Sequence, residues 1–310
     1  MPRGLARPTL RGMSFHLPTE AAGAPWQDLA FHRRDDIGVA ATIVQANPLL
    51  CRRLRIDAPS LIFVEAGCKT LTGPSGRHTV HEGQCVALAG QHDFDIANEP
   101  GDGRPYRARS LTIAPALVAA PPPGVRPIAS LVELAAPAPG LREAFERAMA
   151  AIEAGDALPA AVAANRVREV LLWLAEAGHC FPPPRPPELA DRVRALLAAE
   201  PARAWRSDEV AARLGVSEAT LRRKLAASGT GFGDLLIDIR MSAALFLLQS
   251  TGRPVTEIAG DVGYESPSRF AARFRARFDF SPSDIRSHHR GIARIGTEIE
   301  RRRAAATAAE

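Results

Sequence analysis

Residues 254–286 read PVTEIAGDVGYESPSRFAARFRARFDFSPSDIR. The pattern predicts a short helix over Val255–Asp261, a turn at Gly263–Tyr264 and a second helix opening after Ser266. Ser266 suits an N-cap because its hydroxyl accepts an orphan backbone N–H, and Pro267 then falls at the first helical position, where no N–H is missed. Phe270, Phe274 and Phe278 recur every four residues as one apolar stripe. Ser268, Arg269, Ala272, Arg273 and Ala276 fall on another face, which is small and basic. That composition also suits an ordinary solvated helix. Behind a tight glycine turn, however, it is what a helix-turn-helix needs to lay its second helix in a major groove.

A string of the same kind lies upstream. Ser207 is expected to cap a short helix carrying Val210, Ala211 and Leu214, with Asp208 and Glu209 complementing the positive end of the helix. Gly215 makes the turn. Ser217 caps the next helix, in which Leu221 and Leu225 point inward while Ala219, Arg222 and Arg223 point outward. Before these elements, Leu189, Val193, Leu196 and Leu197 form a core face. After them, Phe232–Ser250 reads as a long apolar helix ending at Gly252, which would hold the two units at fixed separation.

The run I-A-x-x-V-G-Y-x-S-x-S-x-F-x-x-x-F-x-x-x-F-x-x-S-P, from Ile258 to Pro282, resembles the signature of the AraC/XylS family of transcriptional regulators. The resemblance covers about Glu188 to Arg290. Two positions depart from it: Asp279 stands where glycine is common and Ile285 where an aromatic is common. Asp tolerates a left-handed backbone better than most residues, so the turn should survive. The resemblance implies two recognition helices entering successive major-groove segments about 34 Å apart on one face of double-stranded DNA. It assigns Ala219, Arg222, Arg223, Ser268, Arg269, Ala272 and Arg273 to the DNA-binding surface. Each arginine can read a guanine edge or hold a phosphate, and the sequence leaves both roles open. It further implies a sequence-specific, ligand-responsive activator with RNA polymerase and a small-molecule effector as partners.

Charge distribution agrees with this placement. Residues 1–180 hold 18 Lys+Arg against 18 Asp+Glu, leaving 21 and 16 of the chain's 39 and 34 for residues 181–310. The +5 excess therefore lies in the C-terminal part, where Arg222-Arg223-Lys224 and Arg269, Arg273, Arg275 and Arg277 suit a phosphate-facing surface. With 46% hydrophobic and 24% charged residues the chain reads as globular. No eighteen-residue apolar run or signal-peptide pattern appears, so no membrane partner and a cytoplasmic location are expected. The cysteines Cys51, Cys68, Cys85 and Cys180 lack metal or redox spacing and are expected to be buried thiols.

The N-terminal half reads differently. Short alternating runs at Gly38–Gln45, Leu49–Ile56, Leu61–Ala66, Lys69–Thr72, His78–His81, Cys85–Leu88, Asp93–Asn98 and Tyr106–Ile113 are separated by turn chemistry such as Gly73-Pro74-Ser75-Gly76. They predict a small antiparallel barrel or sandwich, with Phe15 and Leu17 as a possible edge strand. The segments Pro59–Lys69 and Pro105–Pro115 resemble, more loosely, the cupin-type sensing domain of AraC/XylS relatives. Enzymatic cupins hold a metal through two histidines alternating on one strand face; His78 and His81 are three apart and face opposite sides, and neither His92 nor Glu82 repairs the spacing. No metal, cofactor or enzymatic activity is expected.

Two helical stripes follow, Leu141, Phe145, Met149 and Ile152, then Val162, Val167, Val170, Leu171 and Leu174. They suit either homodimer pairing or capping of their own barrel. The reading is thus α+β in two domains: a cupin-like sensing and dimerisation domain over 1–178, a proline-rich linker over 179–187, a DNA-binding domain with two helix-turn-helix motifs over 188–290, and a frayed tail over 291–310. The competing functions are a metal-dependent cupin enzyme fused to a DNA-binding domain and a constitutive regulator whose barrel only dimerises.

Overall fold

The computed structural model describes residues 31–101, 103–120 and 123–285; the expected strand at Phe15 and Leu17 and the tail 291–310 lie outside the described residues. Two compact units emerge. Among the described residues, one holds 31–185, 248–252 and 271–285, and the other 186–247 and 253–270. The architecture is α+β, with a sheet-rich N-terminal part and a helical C-terminal part.

The sheet-rich part contains β1 (Phe31–Arg34), β2 (Gly38–Gln45), β3 (Leu49–Ile56), β4 (Ser60–Ala66), β5 (Cys68–Gly73), β6 (Gly76–His81), β7 (Cys85–Leu88), β8 (His92–Glu99), β9 (Tyr106–Ile113), β10 (Arg126–Pro127), β11 (Leu131–Leu134) and β12 (His179–Cys180). Six strands pair in the order β1-β2-β9-β4-β7-β11 and four in the order β3-β8-β5-β6. Neither sheet closes on itself, so the expected barrel takes the form of two open sheets around one core.

Alternation along the six-stranded sheet sends side chains into two cores. Leu61 and Phe63 of β4, Cys85 and Ala87 of β7, and Leu111 and Ile113 of β9 face one core. Their neighbours Ile62, Val64, Val86, Leu88, Tyr106 and Ala108 face the other, shared with Leu71, Val80, Phe94 and Ile96 of the second sheet. This is why β4 and β7 are apolar on both faces. The first core is closed by α1 (Pro139–Glu153) and α2 (Ala160–Glu176), which contribute Leu141, Phe145, Met149 and Ile152, and Ala163, Val167, Val170 and Leu174. The Phe63 and Phe145 rings lie 4.6 Å apart. Arg109 of β9 bonds Glu146 and Glu153 of α1, and Arg147 bonds Glu169 of α2 at 2.6 Å.

The helical stripes are thus consumed within the chain. Leu174 is fully buried and Leu171 packs on the same core, so these two residues do not form a spare pairing surface; the large apolar residues that α2 exposes are Val162, Leu172 and Trp173. Of the cysteines, Cys51, Cys85 and Cys180 are buried, whereas Cys68 is partly exposed, its thiol 3.9 Å from a Glu99 carboxylate oxygen. Beyond α2, β12 pairs in parallel with β10, and Phe181 is buried against the first core. Residues 181–188 have no regular structure, and the Arg185 guanidinium donates to Gln91 Oε1 at 2.7 Å.

The helical part contains α3 (Leu189–Ala199), α4 (Ser207–Arg213), α5 (Glu218–Ala227), α6 (Phe232–Ser250), α7 (Val255–Asp261) and α8 (Pro267–Phe278). Val193 and Leu197 of α3, Val210 and Ala211 of α4, Leu221 and Leu225 of α5, and Leu235 and Ile239 of α6 share one core with Trp205. Trp205 lies within 4.6 Å and 4.9 Å of the Arg203 and Arg213 guanidinium groups, and its indole N–H donates to Glu200 O at 2.9 Å. Among the described residues no helix is long and apolar enough to cross a membrane.

Candidate nucleic-acid interface

The same local solution occurs twice. At the end of α4 the Gly215 N–H donates to Ala212 O (3.2 Å) and the Val216 N–H to Ala211 O (3.0 Å). At the end of α7 the Gly263 N–H donates to Gly260 O and the Tyr264 N–H to Ala259 O, both at 2.9 Å. Both glycines are left-handed, with φ of 70° and 80°, and each stops its helix by returning two amides to the last carbonyls. Each turn is followed by a serine cap. The Thr220 N–H donates to Ser217 Oγ at 3.2 Å, and the Arg269 N–H to Ser266 Oγ at 3.3 Å. α5 and α8 therefore begin at defined points, Glu218 and Pro267.

One predicted cap is corrected. α4 is capped by Arg206, in extended backbone, and Ser207 is its first helical residue; the Ser207 hydroxyl donates instead to Glu218 Oε1 at 2.5 Å, linking α4 to the start of α5. The departure at Asp279 is accommodated as expected. This residue ends α8 with φ of 65°, and its N–H donates to Arg275 O at 2.8 Å. Ile285, the other departure, is buried at 2% exposure.

All seven sequence-predicted contact residues are exposed: Ala219, Arg222 and Arg223 on α5, and Ser268, Arg269, Ala272 and Arg273 on α8. Behind them Leu221, Leu225, Phe270, Phe274 and Phe278 are buried at 1% exposure or less. The arginines are not equivalent, however. Arg222 is paired with Glu218 at 3.0 Å one turn earlier, whereas Arg223, Arg269 and Arg273 have no carboxylate partner among the described residues. Lys224, next to Arg223 on α5, is exposed as well.

Arg240 was not singled out by sequence reading. It stands on α6, and its Nε donates to Pro201 O (2.9 Å), its Nη2 to Arg203 O (2.9 Å) and its Nη1 to Gly263 O (3.4 Å), while the guanidinium carbon lies 5.8 Å from the Tyr264 ring centre. One side chain thus ties the loop before α4 to the turn before α8. The available signal is the one basic residue of a largely apolar helix whose other charges are Asp234 and Asp238. Gly263 is indispensable at this knot: a Cβ there would lie 2.7 Å from Ala202 O and 2.8 Å from Arg240 Nη2.

In the sheet-rich part, His78 accepts or donates at Ser75 Oγ (3.1 Å) through Nε2 and meets Glu133 Oε1 (2.6 Å) through Nδ1, and His92 Nε2 lies 2.9 Å from Ala129 O. Among the described residues no group of three or more His, Cys, Asp and Glu side chains is placed to hold a metal.

Comparison with known proteins places this geometry. Residues 210–288 match the model of the helix-turn-helix domain family. The transcriptional regulator SirC of Salmonella typhimurium is 34% identical over 92 residues, and the urease operon transcriptional activator of Escherichia coli is 35% identical over 95. These matches cover 30% and 31% of this chain and span only 31% and 32% of the relatives' lengths. Over a longer stretch the fold is similar to that of ToxT from Vibrio cholerae. One crystal structure covers 83% of this chain and 96% of ToxT with a TM-score of 0.57 at 12% identity; the unsaturated-fatty-acid-bound form covers 83% and 94% with a TM-score of 0.56 at 13% identity.

Proposed function

We propose that this chain, whose C-terminal part carries an AraC-type helix-turn-helix domain, is a sequence-specific DNA-binding transcription regulator. The observation that carries the reading is the duplicated unit itself. Two helices, each released by the same left-handed glycine turn and capped by serine, present exposed arginines over a buried apolar stripe. Such a helix enters a major groove with its first turns toward the base edges. Ala219, Ser268 and Ala272 allow close approach, while Arg223, Arg269 and Arg273 supply base or phosphate contacts. Arg222 contributes less because Glu218 already holds it.

The two-sheet N-terminal part is read as the cupin-type sensing and pairing domain of such a regulator. That reading rests on the fold shared with ToxT, which has been crystallised with an unsaturated fatty acid bound. The protein then acts in the cytoplasm as a homodimer, without enzymatic activity, and activates transcription through RNA polymerase when a small-molecule effector binds. The test is titration of the full chain with specific and scrambled duplex DNA at several salt concentrations. A base-reading Arg→Ala variant at 223, 269 or 273 costs about 1–3 kcal/mol of binding and relaxes preference at one base pair; a phosphate-holding one weakens all sequences alike and shallows the salt slope by about one unit. Wild-type binding by all three variants overturns the assignment of these faces.

A further inference from the structure

One end of the core between the two sheets is polar. Gln45 stands opposite Tyr106 across β2 and β9, and Lys69 opposite Asn98 across β5 and β8. All four are buried, with exposures of 7%, 0%, 2% and 6%. Lys69 Nζ donates to Asn98 Oδ1 at 2.7 Å, and Asn98 Nδ2 donates to Gln45 Oε1 at 3.0 Å, which bonds one sheet to the other. The ammonium also lies 5.6 Å from the Tyr106 ring centre.

The cluster is rich in donors and poor in acceptors. Lys69 brings three N–H groups and no acceptor, Tyr106 an O–H, and the two amides further N–H groups, whereas both amide oxygens are already engaged. The buried Tyr106 hydroxyl has no hydrogen-bond partner among the described residues. No ion pair to Lys69 is formed among them either, although buried ammonium groups are ordinarily paired. β3 runs at the edge of its sheet beside this cluster, and a bulge between Cys51 and Leu54 interrupts its pairing with β8, with Arg53 at a φ of 47°.

We propose that this cluster is the head-group site for a small monocarboxylic acid. The carboxylate accepts from Lys69 Nζ and Tyr106 Oη, and the apolar remainder lies against the core between the sheets. A monoanion matches the single positive charge, whereas a dianion would bring unbalanced charge into the core. This deepens the sensing role assigned above by giving its effector a chemical class.

The experiment uses the full chain, without DNA, near neutral pH. Thermal shift and calorimetric titration are run with acetate, butyrate, hexanoate, octanoate and benzoate, each beside its primary amide and alcohol. At least one acid is expected to bind saturably and raise Tm, with its amide and alcohol about tenfold or more weaker, as loss of a charge-assisted bond implies. Lys69→Met abolishes the response. Asn98→Asp places a carboxylate beside the ammonium within the protein; it is expected to raise the unliganded Tm and to block the acid, and it keeps the test decisive if Lys69→Met does not fold. Absence of binding by every acid, equal binding of acid and amide, or an undiminished response in Asn98→Asp overturns the proposal. DNA titration of the same preparation separates the two readings: DNA binding without an acid response overturns only the ligand class, and an acid response without DNA binding overturns only the regulator.

Discussion

Gly263 carries two demands that Gly215 carries only in part. Both need a left-handed backbone, but a Cβ at 215 meets nothing within 4 Å, whereas at 263 it strikes a carbonyl and the Arg240 guanidinium. Gly215→Ala is therefore expected to cost about 1–2 kcal/mol and Gly263→Ala about 3 kcal/mol or more, as measured by urea unfolding. Lys69 gives a pH signature. Burial lowers its ammonium from 10.5 to about 8, while the neighbouring Cys51 thiol is pushed up to about 11 and the Tyr106 hydroxyl is raised, both by burial. The folded state thus loses the Lys69 proton before the unfolded state does. The Lys69 charging cost is borne in full below pH 8 and is relieved from pH 8 to 10.5, because the unfolded lysine still binds its proton there; from pH 9 upward the buried thiols Cys51 and Cys85, raised to about 11 and about 12, act in the opposite sense. The stability of wild type relative to Lys69→Met, taken as the difference in urea-unfolding free energy, should therefore rise between pH 8 and 10.5. At this scale the sequence was legible where chemistry is local. Ser217, Ser266 and Asp279 do what their side chains allow, whereas Arg240 and Lys69 act on partners distant in sequence, which no spacing rule reveals.

Among the elements, α2 sets a buried leucine of its apolar stripe, Leu174, two positions from an exposed one outside it, Leu172. Leu174→Asp places a carboxylate in a fully buried position and is expected to cost more than about 4 kcal/mol, abolishing cooperative melting of the sheet-rich part. Leu172→Asp, at 66% exposure, should leave melting within about 0.5 kcal/mol of wild type. Circular dichroism melts of both variants distinguish them. The stripes of α1 and α2 were readable because a period near 3.6 is imposed by the helix, but the same stripe serves a neighbouring subunit or the chain's own sheet. Only the shared core with β4, β7 and β9 decides. The strands β1 and β11 escaped for a different reason: Phe31–Arg34 carries two arginines, and both strands are held by pairing with β2 and β7 rather than marked by a pattern of their own.

For the molecule as a whole, the fragment 188–290 is expected to fold and bind DNA alone, since both helix-turn-helix units and α6 lie within it. Circular dichroism and DNA titration of that fragment check this, and an unfolded fragment counts against the boundary. The presence of both strands and helices was legible from the change of period after Pro121-Pro122-Pro123, whereas the expected linker over 179–187 begins with a strand, β12, paired to β10, and a buried Phe181. The openness of the two sheets was not legible, because strand alternation fixes which side chains face inward but leaves closure to long-range pairing. The chain between the parts has a mechanical consequence. Phe181 is buried, β12 is bonded alongside β10, and Arg185 is moored to Gln91, so only Pro186 and Pro187 stand unanchored before Glu188, whose N–H bonds Asp191 at the start of α3. Two residues of fixed φ, rather than a flexible spacer, therefore carry the chain from its last mooring at Arg185 into α3.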